Sequence, residues 1–494
     1  MKRFFLYSLL CLALIPNVTN GQASLFTEIG YTDLVNRLGG STPTGNGIRV
    51  SMVEVSISGN YRPDTSSSQF TGKTFFDFGG GSGTSGHAQT VAVNYFGLTG
   101  SIAPGITQIN TYRVDGSVSS IDWFGAAYLN FDTVNAPLSD PSSRIMNHSW
   151  IGTGSANDPD NLQVSRRVDF AIRRDNQLYV VGVNNANDSI PALLGHSYNS
   201  MAVGLTNRGS SIGPTTGDTS GRSKPDIVVP HSFTSFATPV VGAAGALLMQ
   251  TADAKSGGES FDASRVETIK AILMTGATKQ EFVGWSAPYD WKRINNGSFI
   301  EPLDRRYGAG QLNINNSHRI MEQSEKNGTD QVVDGLIGWD FDSFSAQGQT
   351  RRYYFDTPNG VDLITASATV TWLRRIVQAG GNFDTSNPTL SRIELRLFEV
   401  DSNFNLTNLI DASLSPIDNV QHIWNTSSLQ GGKRYAWEVT LAQLPNGQTE
   451  ENFAIAWMVV PVPEPALLSS TGLVFFGYMW LRKRKQSRIV PSAN

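Results

Sequence analysis

The chain has 494 residues, 42 acidic and 38 basic side chains and a formal net charge of −4, with a pI near 5.9. That length exceeds a single hydrophobic core and calls for two or three domains. The weakly acidic balance argues against nucleic acid or another polyanion as the main partner.

The N-terminus reads MKRFFLYSLLCLALIPNVTNGQA: two cations, an apolar run from Phe4 to Ile15, then small and polar residues. This is the layout of a secretory signal peptide over residues 1–23, and export is the expectation. The single cysteine, Cys11, lies inside it, so the exported part would carry no thiol, no disulfide and no cysteine metal site.

From about Gly47 to His318 the β-rich runs IRVSMVEVS, GHAQTVAVNYFG, RIMNHSW, LYVVGVNN and SMAVGL alternate with helical patterns. Such alternation predicts an α/β unit over residues 24–325, a parallel sheet covered by helices. Within it, FTSFATPVVGAAGALLMQTA places small residues after Pro239, as a helix threading the middle of a domain requires. Pro239 is expected in that helix's first turn, where its missing N–H costs nothing. Ser235 is expected just ahead of it, where free N–H groups and the dipole's positive end can stabilise an oxyanion. An ordinary N-cap at Thr234 or Ser235 is the alternative. SRVETIKAILMTG opens on a capping box, Ser264 with Glu267, and carries Val266, Ile269, Ile272 and Leu273 on one face, which makes it a packing helix.

Near Asn327-Gly328 the pattern changes to period two: Ala368, Val370 and Trp372; Ile393, Leu395 and Leu397; Tyr435, Trp437, Val439 and Leu441; Phe453, Ile455, Trp457 and Val459. Alternation without intervening helices predicts an antiparallel β-sandwich over residues 330–460. Trp372, Trp437 and Trp457 are expected in its core rather than on a sugar-binding surface.

The C-terminus, VPEPALLSSTGLVFFGYMWLRKRKQ, sets Pro-Glu-Pro at Pro463–Pro465 before an apolar run from Ala466 to Leu481 and the basic residues Arg482 to Lys485. Sixteen helical residues span about 24 Å, short of the roughly 30 Å hydrocarbon core, with positive residues kept inside. The tripartite order over residues 461–494 resembles the PEP-CTERM sorting signal of Gram-negative bacteria. The resemblance implies cleavage near Pro463 by an exosortase-type enzyme, transient anchoring in the bacterial membrane through 466–481, and a cell-surface or extracellular destination.

A serine nucleophile needs a base to take its proton and a third group to orient that base. His87, after a Gly-rich loop, is the candidate base. Six histidines occur without an HExxH or a close His pair, which disfavours zinc hydrolysis. The residues then resemble the subtilisin-like serine peptidases from about 44 to 320. The blocks that carry the likeness are GHAQTVA, SIAPGITQINTYRV, NHSWIG, KPDIVVP, TSFATP, IKAILMTGA and YGAGQLN, in order.

The resemblance implies that Ser235 is the nucleophile, His87 the general base and then acid, and Asn185 the oxyanion donor, with Asn184 beside it leaving open which amide points inward. The strand around Ser149 and Trp150 would pair with an extended polypeptide substrate. No cofactor is required. Family members often hold structural calcium, and no ligand loop for it is legible here, so that question stays open.

Three departures from the family pattern stand out. Glu54, in IRVSMVEVS, occupies the place of the catalytic aspartate, with Asp64 and Asp77 as fallback acids; serine hydrolases use either acid in this role. Phe233 replaces a glycine before Thr-Ser. About twenty residues separate the export signal from the core, too few for the family's propeptide. Two functions follow: an exported endopeptidase with the triad Glu54, His87 and Ser235, or a catalytically silent subtilisin-fold protein that binds at the surface or in the matrix.

Overall fold

Strand β1 (Val50–Val55) runs through the middle of a parallel sheet, and its first five residues are buried on both faces, as helices above and below demand. The computed structural model describes residues 24–462 apart from 82, 116–121, 131–141, 280–293, 296–297, 300, 362, 380–381, 385–389 and 426–428. The expected signal peptide over 1–23 lies outside the described residues, as does all but 461–462 of the expected sorting signal over 461–494.

With β2 (Thr74–Asp77), β3 (Gln108–Val114), β4 (Ile145–His148), β5 (Leu178–Gly182), β6 (Met201–Leu205) and β7 (Ile227–Val229), β1 forms a seven-stranded sheet in the order β2-β3-β1-β4-β5-β6-β7. Every ladder in it is parallel. Among the helices of the described residues are α1 (Tyr31–Leu38), α2 (Gly86–Phe96), α3 (Pro159–Asp175), α4 (Thr234–Asp253), α5 (Gly258–Ala263), α6 (Val266–Gly276) and α7 (Ile314–Met321).

GHAQTVAVNYFG, expected among the β-rich runs, is instead helix α2. Ser85 caps it by accepting from the Ala88 N–H at 3.4 Å. Ala88, Val91, Ala92, Tyr95 and Phe96 are buried at helical spacing, which overrides the short Val-Ala-Val alternation.

Among the described residues α4 is the one helix long and apolar enough to cross a membrane, yet it is a core helix with most of its surface buried. Its glycines permit the close approach. A Cβ at Gly242 would come within 2.8 Å of the Tyr95 ring, and one at Gly245 within 2.7 Å of Leu178.

A short hairpin, β8 (Ile294–Asn295) with β9 (Ser298–Phe299), precedes the second unit. There β10 (Ile337–Phe344), β11 (Thr350–Asp356), β12 (Leu363–Trp372), the hairpin β13 (Val377–Ala379) with β14 (Asn382–Asp384), β15 (Arg392–Val400), β16 (Leu406–Ser413), β17 (Val420–Asn425), β18 (Arg434–Gln443) and β19 (Glu451–Val462) follow one another. Two antiparallel sheets, β10-β19-β12-β17 and β11-β18-β15-β16, enclose a core that includes Trp372, Trp437 and Trp457, all fully buried. The observed order, a helix-covered parallel sheet and then a β-sandwich, is the predicted one.

The sandwich does not hang free. Ala366, Ala368, Val370 and Trp372 of β12 point into its core, while the intervening polar side chains face α6. Thr369 Oγ1 lies 2.8 Å from Thr275 Oγ1, and the Thr371 hydroxyl donates to the Glu267 carbonyl at 2.7 Å. All eleven residues of α6 are therefore buried, where the sequence showed one apolar face. The expected capping box does not form. Arg265 is the N-cap, the Val266 N–H is taken by Asn176 Oδ1 at 2.9 Å, and Ser264 Oγ turns back to the Phe261 carbonyl.

Candidate active site

In a parallel sheet a crevice opens at the carboxyl ends of the strands where the chain order reverses. Here β1 has β3 on one side and β4 on the other, and the residues at or just beyond the ends of β1, β4 and β5 line a cleft with the first turns of α2 and α4. Val55, His87, Ser149, Trp150, Val183, Asn184, Asn185, Phe233, Ser235 and Phe236 are on its walls.

Glu54, at the end of β1, is 1% exposed. Its Oε2 lies 2.7 Å from His87 Nδ1, at the second residue of α2. An ionised carboxylate only accepts, so Nδ1 carries the proton and Nε2 of the neutral ring is the basic nitrogen. Burial pushes the Glu54 pKa up against the opposing pull of His87. For His87, burial alone would lower the pKa; the Glu54 charge and hydrogen bond together outweigh it and raise the pKa above the ordinary value. Glu54 Oε1 is buried and has no hydrogen-bond partner, so the carboxylate depends on His87.

The fallback acids are placed elsewhere. Asp64 is on the surface and bonds the Ser66 N–H at 3.0 Å and hydroxyl at 2.6 Å. Asp77 accepts from the Tyr61 hydroxyl and, at 3.3 Å, from Arg62.

Ser235 is the second residue of α4, inside its first turn rather than ahead of it, and the N-cap is Phe233, so neither Thr234 nor Ser235 caps the helix by side chain. Of the first N–H groups, that of Thr234 goes to Asn185 Oδ1 at 2.6 Å, and those of Phe236 and Ala237 go to the Phe233 carbonyl. The Ser235 N–H is left at the positive end of a twenty-residue helix. Pro239 is the sixth helical residue, not in the first turn, so its missing N–H falls where an intrahelical bond to Ser235 would form.

The two neighbouring asparagines separate by their contacts. Asn184 is spent locally, its Nδ2 donating to Asp188 at 2.6 Å and its Oδ1 accepting the Asn185 N–H at 2.8 Å. Asn185 Oδ1 is held by the Thr234 N–H at 2.6 Å and hydroxyl at 2.9 Å, which turns its Nδ2 to the cleft it lines. Sequence reading missed Thr234 as the residue that orients this amide; its hydroxyl also reaches the Val183 carbonyl at 2.6 Å.

Ser149 and Trp150 follow β4 directly, and the nearly buried Trp150 indole donates to His148 Nδ1 at 3.2 Å. Phe233 packs edge-on to Phe236, whose ring centre is 5.8 Å from that of His87. The bulky residue beside the nucleophile thus joins an aromatic wall. Among the described residues no group of three or more His, Cys, Asp or Glu side chains is placed to hold a metal ion.

Residues 81–310 match the model of the subtilase family. The matched segment contains His87, Ser149, Asn185 and Ser235 and begins after Glu54, so the contact with His87 is what joins the acid to this group. No curated protein matches the chain. Two similar solved structures are the patellamide maturation protease PatA, 21% identical over 56% of this chain and 97% of that one with a TM-score of 0.36, and a cold-adapted subtilisin-like serine proteinase, 17% identical over 49% and 86% with a TM-score of 0.33.

Proposed function

We propose that this chain is an exported serine endopeptidase that hydrolyses peptide bonds by acyl transfer through Ser235. The observation that carries the reading is the Glu54–His87 contact at 2.7 Å in a cleft shared with Ser235 and Asn185, within or beside a segment that matches the subtilase family.

In this mechanism Ser235 Oγ attacks the peptide carbonyl while His87 Nε2 takes its proton, then returns it to the leaving amine. Glu54 fixes the ring's tautomer and supports the imidazolium. The oxyanion is met by Asn185 Nδ2 and the Ser235 N–H, each such donor contributing about 2.7–4 kcal/mol to the transition state. Water then enters along the path of the departed amine and, with His87 as base, releases the acyl group. The substrate is a polypeptide lying extended along the segment after β4, at Ser149 and Trp150.

Incubation with an unstructured polypeptide should give discrete internal cleavages that vanish in Ser235→Ala. Absence of cleavage by the parent, or equal cleavage by Ser235→Ala, would instead favour the catalytically silent binding protein.

The proposal extends to the two ends of the chain. Residues 1–23 direct export, and residues 461–494 act as a PEP-CTERM-type signal that an exosortase-type enzyme cuts, leaving the protein at or beyond the cell surface. Strand β19 ends at Val462, so a cut near Pro463 would fall just past the last sheet residue. Mass spectrometry of the mature protein should find its C-terminus there; recovery of the Arg482–Lys485 tail would reject cleavage.

A further inference from the structure

We infer that Ser149 positions the nucleophile: its hydroxyl replaces the N–H that Pro239 lacks and, backed by Asn147, fixes the Ser235 carbonyl. The inference rests on the peptidase reading and adds a residue to it that acts through Ser235 without touching the substrate's reacting atoms.

In an α-helix the N–H of each residue donates to the carbonyl four residues earlier. Pro239 has no N–H, so the Ser235 carbonyl lacks the regular α-helical donor four residues on. A buried carbonyl seldom goes unpaired, and the donor comes from outside: Ser149 Oγ lies 2.8 Å from the Ser235 carbonyl oxygen. The direction of that bond is set from behind. Asn147 Nδ2 donates to Ser149 Oγ at 2.9 Å, occupying it as an acceptor and aiming its one proton at Ser235.

Asn147 is completely buried and Ser149 is 3% exposed, so the relay is packed in place behind the half-buried Ser235. Asn147 lies in β4, where it pairs with Met52 of β1, two residues before Glu54. The relay therefore ties the peptide plane of the nucleophile to the same two strands that carry the triad acid and the substrate groove. One turn on, the Thr238 hydroxyl donates to the Thr234 carbonyl at 2.7 Å. Hydroxyl groups hold two consecutive carbonyls of the first turn, and Ser149 holds the one attached to the attacking residue.

The consequence is a defect in turnover without a defect in binding. Misplacement of a reacting group by about an ångström costs on the order of a hundredfold. Ser149→Ala should thus lower kcat and the rate of fluorophosphonate labelling by about tenfold to a hundredfold, with KM little changed, since substrate pairing at this position uses the backbone. Ser149→Thr keeps the hydroxyl and should recover most of the rate. The decisive variant is Ser149→Ala with Pro239→Ala, because residue 239 then gains an N–H for the Ser235 carbonyl and the double variant should be faster than Ser149→Ala alone.

Thermal unfolding of each variant separates a displaced serine from a misfolded domain. Parent-like turnover in Ser149→Ala, a loss confined to KM, or a double variant as slow as the single one would overturn the inference while leaving the peptidase reading intact. A parent that neither labels nor cleaves would remove the peptidase reading and this inference with it.

Discussion

Replacing Glu54 by Gln is expected to lower turnover about 10⁴-fold, the scale seen when a triad acid loses its charge but keeps its shape. Glu54 is buried and its Oε2 meets His87 Nδ1 at 2.7 Å. A carboxamide there supplies no charge to the imidazolium, and by presenting its NH₂ it favours the wrong ring tautomer. The fold should survive, because Oε1 has no partner to lose and removing a buried charge also removes its desolvation cost. Glu54→Asp discriminates further. The shorter chain withdraws the carboxylate by about one methylene from a histidine that α2 holds in place, so activity should fall roughly ten- to a hundredfold. Steady-state kinetics on a peptide substrate measures both, and parent-like turnover in Glu54→Gln would exclude Glu54 from the triad.

A chain ending at Lys326 is expected not to fold, although the family match stops at residue 310. Truncation there uncovers α6, all of whose residues are buried, and strips the hydroxyl contacts of Thr275 and the Glu267 carbonyl. It leaves the Ser223 N–H without Asp418 at 2.7 Å and Asn199 without both of its backbone bonds to Arg374. Asp169, 1% exposed, loses the Arg374 guanidinium 3.9 Å away. Breaking a buried pair from one side costs about 3–5 kcal/mol, a large part of the roughly 5–15 kcal/mol that holds a domain. Expression of residues 24–326 should give insoluble or uncooperatively melting protein; a soluble product with a sharp transition and full labelling would show that the sandwich is dispensable.

The sequence disclosed the parts of this molecule that are local. Ser235, His87 and Asn185 sit in short blocks whose spacing survives without knowledge of the fold, and Trp372, Trp437 and Trp457 declare their core face by period two. What it hid depends on neighbours distant in sequence. Asp64 and Asp77 stood behind Glu54 as fallback acids, and only the fold, which brings the Glu54 carboxylate to His87 and leaves both aspartates with other partners, dismisses them. Asn184 and Asn185 have identical chemistry, and only Asp188 on one side and Thr234 on the other tell them apart. Alternation in β12 reports the polarity of its Thr and Ser residues, not what covers them, and α6 packs there. GHAQTVAV shows how a few β-branched residues imitate a strand when the cap that starts the helix is the serine immediately before it. The one signal that could have revealed the Ser149 contact was the four-residue interval from Ser235 to Pro239.

The most direct measurement is the pH dependence of fluorophosphonate labelling at Ser235 in the parent and in Glu54→Gln. Glu54 raises the His87 pKa above about 6.5, and the ion pair's support for the fold is present below that ordinary value and is lost as pH rises through the raised one. Activity runs the other way, since only the neutral ring accepts the serine proton. The labelling rate of the parent should rise with pH through an apparent pKa above 6.5, and in Glu54→Gln the residual rate should titrate at lower pH. No labelling of Ser235, or a profile that Glu54→Gln leaves in place, would contradict the assignment of Glu54, His87 and Ser235 as one catalytic unit.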